Sequence, residues 1–291
     1  MTEQVSKVGK KSFGILGCGW LGYPLAQRLK TLPITSLVKG STTSPAKINL
    51  FEAQGIQGYL IDLGKETDLA QALDSPFFEV DTLIISLPPR TKVYGDGHYP
   101  LQVSAIANAI RKSQIREVVF ISSTSVYPDL NRAVTEKDVI EAAQSASQDI
   151  VTAEKLMEDL RADKTVTILR LGGLLGYNRI PGKYVRGQKN LTTGDLPVNY
   201  IHRDDAVEII SAMLVQGIKS GTYNVVAPLH PSRRAVYDLC CAQFGWEAPT
   251  YDSPEKTPAF KIVLAEKLSR DFDFSYKFPD PLGFHYTLEE Q

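Results

Sequence analysis

The stretch Phe13–Leu29, FGILGCGWLGYPLAQRL, sets Gly17, Gly19 and Gly22 in the spacing GxGxxG between an apolar run and a helix-like pattern. Ile15 and Leu16 read as the end of a buried strand, Gly17-Cys18-Gly19 as a turn, and Trp20 to Lys30 as a helix. In such a turn the first glycine permits the bend and the second lets the backbone approach a pyrophosphate. The third lets the helix pack close to the strand, with its positive N-terminus facing the phosphates. Gly17 to Gly22, with Cys18, Trp20 and Leu21 between the glycines, therefore form the candidate phosphate cradle. Glycines serving only a tight turn are the competing reading. Pro24 falls in the first helical turn, where a missing N–H is tolerated.

Working outward, short apolar runs alternate with helix-length amphipathic segments. The runs are 12–17, 34–39, 58–63, 81–87, 117–123 and 166–172, several of them continuously apolar, as strands covered on both faces of a parallel sheet are. Ser44-Pro45 supplies an N-cap and a first-turn proline before the helical stretch 47–54. Val103, Ile106, Ala107 and Ile110 make one helical stripe, and Ala153, Leu156, Met157 and Leu160 another. Such alternation predicts an α/β fold with a doubly wound parallel sheet of the Rossmann type. Beyond Gly173, glycine and proline become frequent and strand-like pieces such as TYNVVA sit among helices. We therefore expect a dinucleotide-binding domain over 1–172 and a smaller α/β substrate lobe over 173–291, partly interleaved with the last sheet elements.

The composition narrows the function. The 291 residues are 43% hydrophobic and 22% charged, with a formal net charge of −1, which gives no electrostatic case for nucleic acid or an anionic membrane. Three cysteines, two of them adjacent, argue against a disulfide framework and fit a reducing cytoplasm. The leading MTEQVSKVGKK lacks the apolar core of a signal peptide, and no apolar run approaches the ~20 residues of a membrane helix.

The second strand addresses the cofactor. An acid about twenty residues past the glycines would bind the ribose 2′-hydroxyl of NAD. Lys39 stands there instead, followed by Ser41, Thr42 and Thr43, and a cation with hydroxyl donors suits the 2′-phosphate of NADP. NADP is the expected cofactor, with NAD as the alternative. Asp62, after the third strand, is placed to accept from the adenine amine or to cap its own loop.

With these residues stand ISLPP (85–89), FISSTSVYP (120–128), LRLGGLLGYNR (169–179), VNYIHRDDAV (198–207) and GTYNVVAPLHPSRRAVYDL (221–239). Together they resemble the extended short-chain dehydrogenases/reductases, the superfamily of nucleotide-sugar epimerases and dehydratases. GCGWLGYPLA and GDGHYPLQV bring the chain nearest to that superfamily's atypical YeeZ-like branch. The resemblance implies that Ser86, Leu87 and Pro88 lie beside the cofactor and that Thr124 hydrogen-bonds the reacting oxygen of a small-molecule substrate such as a nucleotide sugar. It places Tyr127 at the pocket wall, and His202, Asp204 and Asp205 in a segment that orders the substrate lobe and starts a helix; for the two aspartates, helix capping is the preferred reading.

One departure matters. Active members carry a Tyr-x-x-x-Lys pair on the helix after the fifth strand, whose lysine helps a phenol of pKa near 10 to work at neutral pH. None of the 13 tyrosines here is followed four residues later by lysine, and 147–155 reads SQDIVTAEK. The protonable groups left as substitutes are Tyr127, Tyr94, His98, Tyr177 and His202, with Tyr127 foremost because it follows Thr124 by one turn. Two readings follow: an NADP-dependent oxidoreductase or epimerase-like enzyme with a rebuilt proton donor, or a dinucleotide-binding sensor without turnover.

Overall fold

Phe13, Ile15 and Leu16 are fully or almost fully buried, as are Leu83, Ile84 and Ile85, so the strands they belong to are covered on both faces. The structure, a computed structural model, describes residues 9–64 and 73–289. Its strands in chain order are β1 (Lys11–Leu16), β2 (Thr35–Thr42), β3 (Gln57–Leu60), β4 (Thr82–Ile85), β5 (Glu117–Ser123) and β6 (Arg132–Val134). They continue with β7 (Thr165–Leu171), β8 (Gly173–Leu175), β9 (Tyr200–His202), β10 (Gly221–Val225) and β11 (Lys261–Val263).

Seven of these form one parallel sheet in the order β3-β2-β1-β4-β5-β7-β10. Phe13 of β1 is partnered by Val38 on one side and Thr82 on the other. The strand order reverses between β1 and β4, and in doubly wound sheets ligands sit in the crevice outside the carboxyl ends of strands at such a point. The expected α/β doubly wound Rossmann sheet is thus present. All six apolar runs supply strands, and TYNVVA supplies the seventh.

The two helical stripes explain one packed layer. Val103, Ile106, Ala107 and Ile110 project from the helix His98–Lys112, and Ala153 and Met157 from Gln148–Glu158. With Leu160 they enter a single buried cluster with Phe77, Leu83, Ile85 and Phe120. Each large apolar side chain so buried contributes roughly 1.5–3 kcal/mol, which holds the helices against the sheet.

The chain divides into two compact units. The first comprises the described residues of Met1–Ser122, Gln148–Leu169 and Ile210–Thr222. The second comprises those of Ser123–Ser147, Arg170–Ile209 and Tyr223–Gln291. Within the second unit β6 pairs in parallel with β11, and β8 with β9. Its apolar centre gathers Ile180, Val198, Val236, Cys240, Phe284 and Tyr286. The helix Arg233–Phe244 is capped by the Ser232 hydroxyl, which accepts from the Ala235 amide, and ends at Gly245 in the left-handed region.

Candidate functional site: the glycine turn and the strand ends

The three glycines of the turn are required for different reasons. Gly17 has φ +89°, and a Cβ there would lie 2.5 Å from the Ser86 carbonyl oxygen. A Cβ on Gly22 would lie 2.6 Å from the Gly17 carbonyl oxygen, so this glycine seats the helix Gly22–Lys30 on the turn. Gly19 is exposed, and a Cβ there would meet nothing within 4 Å. The protein's own packing accounts for Gly17 and Gly22 and leaves Gly19 unexplained. A surface that must let a ligand touch backbone accounts for it. The residues present therefore fit a dinucleotide pyrophosphate.

The turn is held from β2. The Ser41 hydroxyl accepts from the Gly17 amide at 2.9 Å, and the Ser41 carbonyl from the Cys18 amide at 2.9 Å. Cys18 is buried, and burial pushes its thiol up to about 12, so it is inert packing rather than a nucleophile. Trp20 is half-buried and Leu21 buried, ahead of a helix that begins at Gly22 rather than Trp20. On the other side of β1, the Ser86 amide donates to the Leu16 carbonyl, the Leu87 carbonyl accepts from the Tyr99 phenol, and Pro88 is exposed.

Lys39 is placed differently from its sequence reading. It lies in the middle of β2, only 5% exposed, with its ammonium donating to the carbonyls of Pro76 and Glu79. Burial lowers its pKa. An ammonium so engaged cannot also serve a phosphate at the strand end. Thr42 accepts from the Ser44 amide through its hydroxyl, and the Asp62 carboxylate accepts from the Gly64 amide, so Asp62 does cap its own loop.

In the second unit Thr124 opens the single turn Thr124–Val126 directly after β5. It is 6% exposed, and its hydroxyl forms no hydrogen bond among the described residues. Tyr127 is fully buried. Its hydroxyl donates to Asn224 Oδ1 at 2.7 Å and accepts from the Arg170 guanidinium at 2.9 Å, and burial pushes it up to about 12. Asn224 and Arg170 are themselves fixed, Asn224 to the Leu264 carbonyl and Arg170 to the Val139 carbonyl. This is the environment of a structural tie.

Tyr177 and His202 are likewise engaged. Tyr177 donates its hydroxyl to the Asp204 carboxylate and carries the Arg203 guanidinium 3.8 Å from its ring centre. His202 is fully buried against Phe278, with Nδ1 accepting from the Asp204 amide, which leaves Nε2 to donate to the His285 carbonyl. Asp205 accepts from the amides of Lys277 and Phe278. Both aspartates thus fasten other segments instead of capping their own helix. In the first unit Tyr94 stacks on His98 at 4.6 Å, and His98 Nε2 is buried without a hydrogen-bond partner among the described residues.

On the helix Gln148–Glu158 the buried residues are Val151, Ala153, Glu154 and Met157. Glu154 is the sole titratable group of that buried set, and it accepts from the Ser122 hydroxyl. Nothing in the sequence marked it, because a glutamate on an amphipathic helix reads as surface.

Known proteins agree with this architecture. The NAD(P)H-binding family model matches residues 22–216. Protein YeeZ of Escherichia coli K12 is 31% identical over 94% of this chain and 98% of its own length. The chain belongs to the NAD(P)H-binding family and is a relative of protein YeeZ. Solved structures show the same fold at low identity. MoeE5 in complex with UDP-glucose and NAD superposes with a TM-score of 0.70 at 16% identity, covering 95% of this chain and 97% of that one. The ADP-L-glycero-D-manno-heptose-6-epimerase of Helicobacter pylori gives 0.69 at 14% identity, covering 94% of each. No helix among the described residues is long and apolar enough to cross a membrane.

Proposed function

We propose that this YeeZ relative binds a nicotinamide dinucleotide on the Gly17–Gly22 turn and is an oxidoreductase or epimerase-like enzyme for a small, oxygen-bearing substrate. The observation that carries the reading is the bare, exposed Gly19 between two glycines that the packing itself explains. When bound, the dinucleotide supplies hydride transfer. The protein's part is to hold the pyrophosphate against backbone amides and to orient a substrate oxygen. We assign cofactor binding to the 1–172 portion, which also carries Thr124, and the remaining substrate contacts to 173–291, and nucleotide sugars are the substrate class that MoeE5 and the heptose epimerase recommend. Thr124, with its hydroxyl unengaged, is the side chain we assign to the reacting oxygen. Tyr127, buried and bonded at both ends of its hydroxyl, positions the loop that carries Thr124 and is not the proton donor.

A second reading has its own support. A cofactor-responsive protein without turnover needs the turn and not the acid–base pair, and the buried face of the helix Gln148–Glu158 holds no tyrosine or lysine. Calorimetric titration of NAD and NADP into the wild type and Gly19→Val tests the binding site common to both. We expect the variant to fold and to bind at least about tenfold more weakly, since its side chain occupies the space of the pyrophosphate. Equal binding in a folded Gly19→Val would overturn the dinucleotide site.

A further inference from the structure

Beyond β4 the chain runs through Pro88, Pro89 and Arg90 into a single helical turn, Thr91–Tyr94. It reaches the helix His98–Lys112 only after Gly95, Asp96 and Gly97. Arg90 holds φ +49° at one end of this stretch, and Gly95 and Gly97 hold +81° and +78° at the other. A Cβ on either glycine would meet nothing within 4 Å, so backbone conformation and not packing calls for them. No residue of Thr91–Tyr94 is buried, and Val93 is 71% exposed. The flanks, by contrast, are fixed. The Leu87 carbonyl accepts from the Tyr99 phenol, and the Gly97 amide donates to the Asp149 carboxylate at 2.7 Å. A segment with firm ends, left-handed hinges and no buried anchor can swing as a unit.

Tyr94 holds the segment down. Its ring stacks on the His98 imidazole, and its hydroxyl lies 2.5 Å from where a Cβ on Gly64 would stand. Asp62 Oδ1 is 3.1 Å from that same point. The Asp62 carboxylate is exposed, and Gln102 Nε2 donates to the Leu63 carbonyl, so this loop is pinned and cannot retreat from Tyr94. A dinucleotide on the glycine turn extends its adenosine end towards the strands beyond β1, and Asp62 follows the last of them. The Tyr94 hydroxyl thus stands in front of the carboxylate that an adenine amine would reach.

The latched position carries its own opposition. His98 Nε2 is buried there with no hydrogen-bond partner among the described residues, and a buried unpaired nitrogen forfeits its hydration. Lifting the Tyr94 ring off the imidazole returns that nitrogen to water, so the latched and open positions compete.

We propose that residues 90–97 form a gate over the adenine end of the dinucleotide site, with Tyr94 as its latch. The cofactor enters when Tyr94 leaves Gly64 and the segment turns on its two hinges. This rests on the dinucleotide site proposed above.

The test is stopped-flow mixing of NADPH or NADH, followed by nucleotide fluorescence, with the full-length wild type, Tyr94→Ala and Val93→Ala. We expect the wild-type rate to level off as nucleotide is raised, because opening becomes limiting. Tyr94→Ala should bind about tenfold faster and more tightly, since a site open only part of the time shows an affinity reduced by the open fraction. Val93→Ala, on the same turn and exposed, should match the wild type. Equal rates and affinities in wild type and Tyr94→Ala, or weaker binding by Tyr94→Ala, overturn the gate and leave the dinucleotide site standing. Failure of wild type and Tyr94→Ala alike to bind either nucleotide overturns that site and the gate with it.

Discussion

The phenol of Tyr127 donates to Oδ1 of Asn224 across 97 positions of sequence, at 2.7 Å and with both residues fully buried. Arg170 completes the group by donating to the same phenolic oxygen. A buried network of this kind is stable when every member is satisfied, and costly when one is removed. Tyr127→Phe removes the hydroxyl and leaves Asn224 and Arg170 each short of a partner. We expect a loss of about 1–3 kcal/mol in urea unfolding. Dinucleotide affinity should be preserved. Unchanged stability would mean that the hydroxyl is not a structural tie and would return Tyr127 to the list of proton donors.

The glycines of the turn should separate stability from binding. Gly17→Ala forces a side chain into a φ of +89° and against the Ser86 carbonyl, so we expect a cost of about 1–3 kcal/mol. Gly19→Ala meets no atom within 4 Å, and its stability should stay within about 0.5 kcal/mol of wild type. Its dinucleotide affinity should fall nonetheless. Thermal denaturation with parallel titrations checks both halves, and a Gly19→Ala that loses stability while retaining affinity would show the turn to be purely structural.

Where the sequence succeeded and where it did not can be traced to single residues. The runs around Ile15, Ile84 and Val119 lie in a sheet buried on both faces, so continuous apolarity announced them. Lys39 was misplaced because a strand reading that stopped at the lysine put it at the strand end. Gly40-Ser41-Thr42 looks like a turn, yet all three residues belong to β2, and Ser41 is buried because it braces Gly17. A three-residue error in the strand end put Lys39 at the cofactor-facing edge, whereas its ammonium is turned into the protein. Tyr127 was identified from its motif, but its partners Arg170 and Asn224 are distant in sequence, and only folding brings the three together.

His202 gives the second unit an acid sensitivity with a definite sign. Burial is the main cause that lowers its pKa from 6.5, with Lys277 and Arg203 acting the same way and Asp204 and the His285 carbonyl opposing. On acidification the unfolded imidazole therefore takes its proton before the folded one. Stability is lost as pH falls below 6.5 towards the folded value, with a slope of at most about 1.4 kcal/mol per pH unit from this residue. His230, also lowered by burial, adds its own share over the same range. Urea midpoints at pH 7.5 and 5.5 should differ in the wild type, and His202→Gln should narrow that difference. An equal difference in the two proteins would assign the acid sensitivity elsewhere.

Thr124 decides between the enzyme and the sensor. Its hydroxyl is engaged by no described residue, so Thr124→Ala removes no internal hydrogen bond, and stability should change little. If the hydroxyl holds the reacting oxygen of a substrate, its loss is felt in the transition state and turnover should fall by about 10² with cofactor affinity intact. The measurement is NADPH or NADH absorbance over a panel of nucleotide sugars and small carbonyl compounds, first with the wild type and then with Thr124→Ala. A substrate turned over equally well by both proteins would remove Thr124 from the chemistry. Absence of turnover on every compound, with tight dinucleotide binding and a difference in proteolysis or scattering between the oxidised and reduced complexes, would favour the sensor. In that case the buried Ser122–Glu154 pair is a core contact between β5 and the helix Gln148–Glu158.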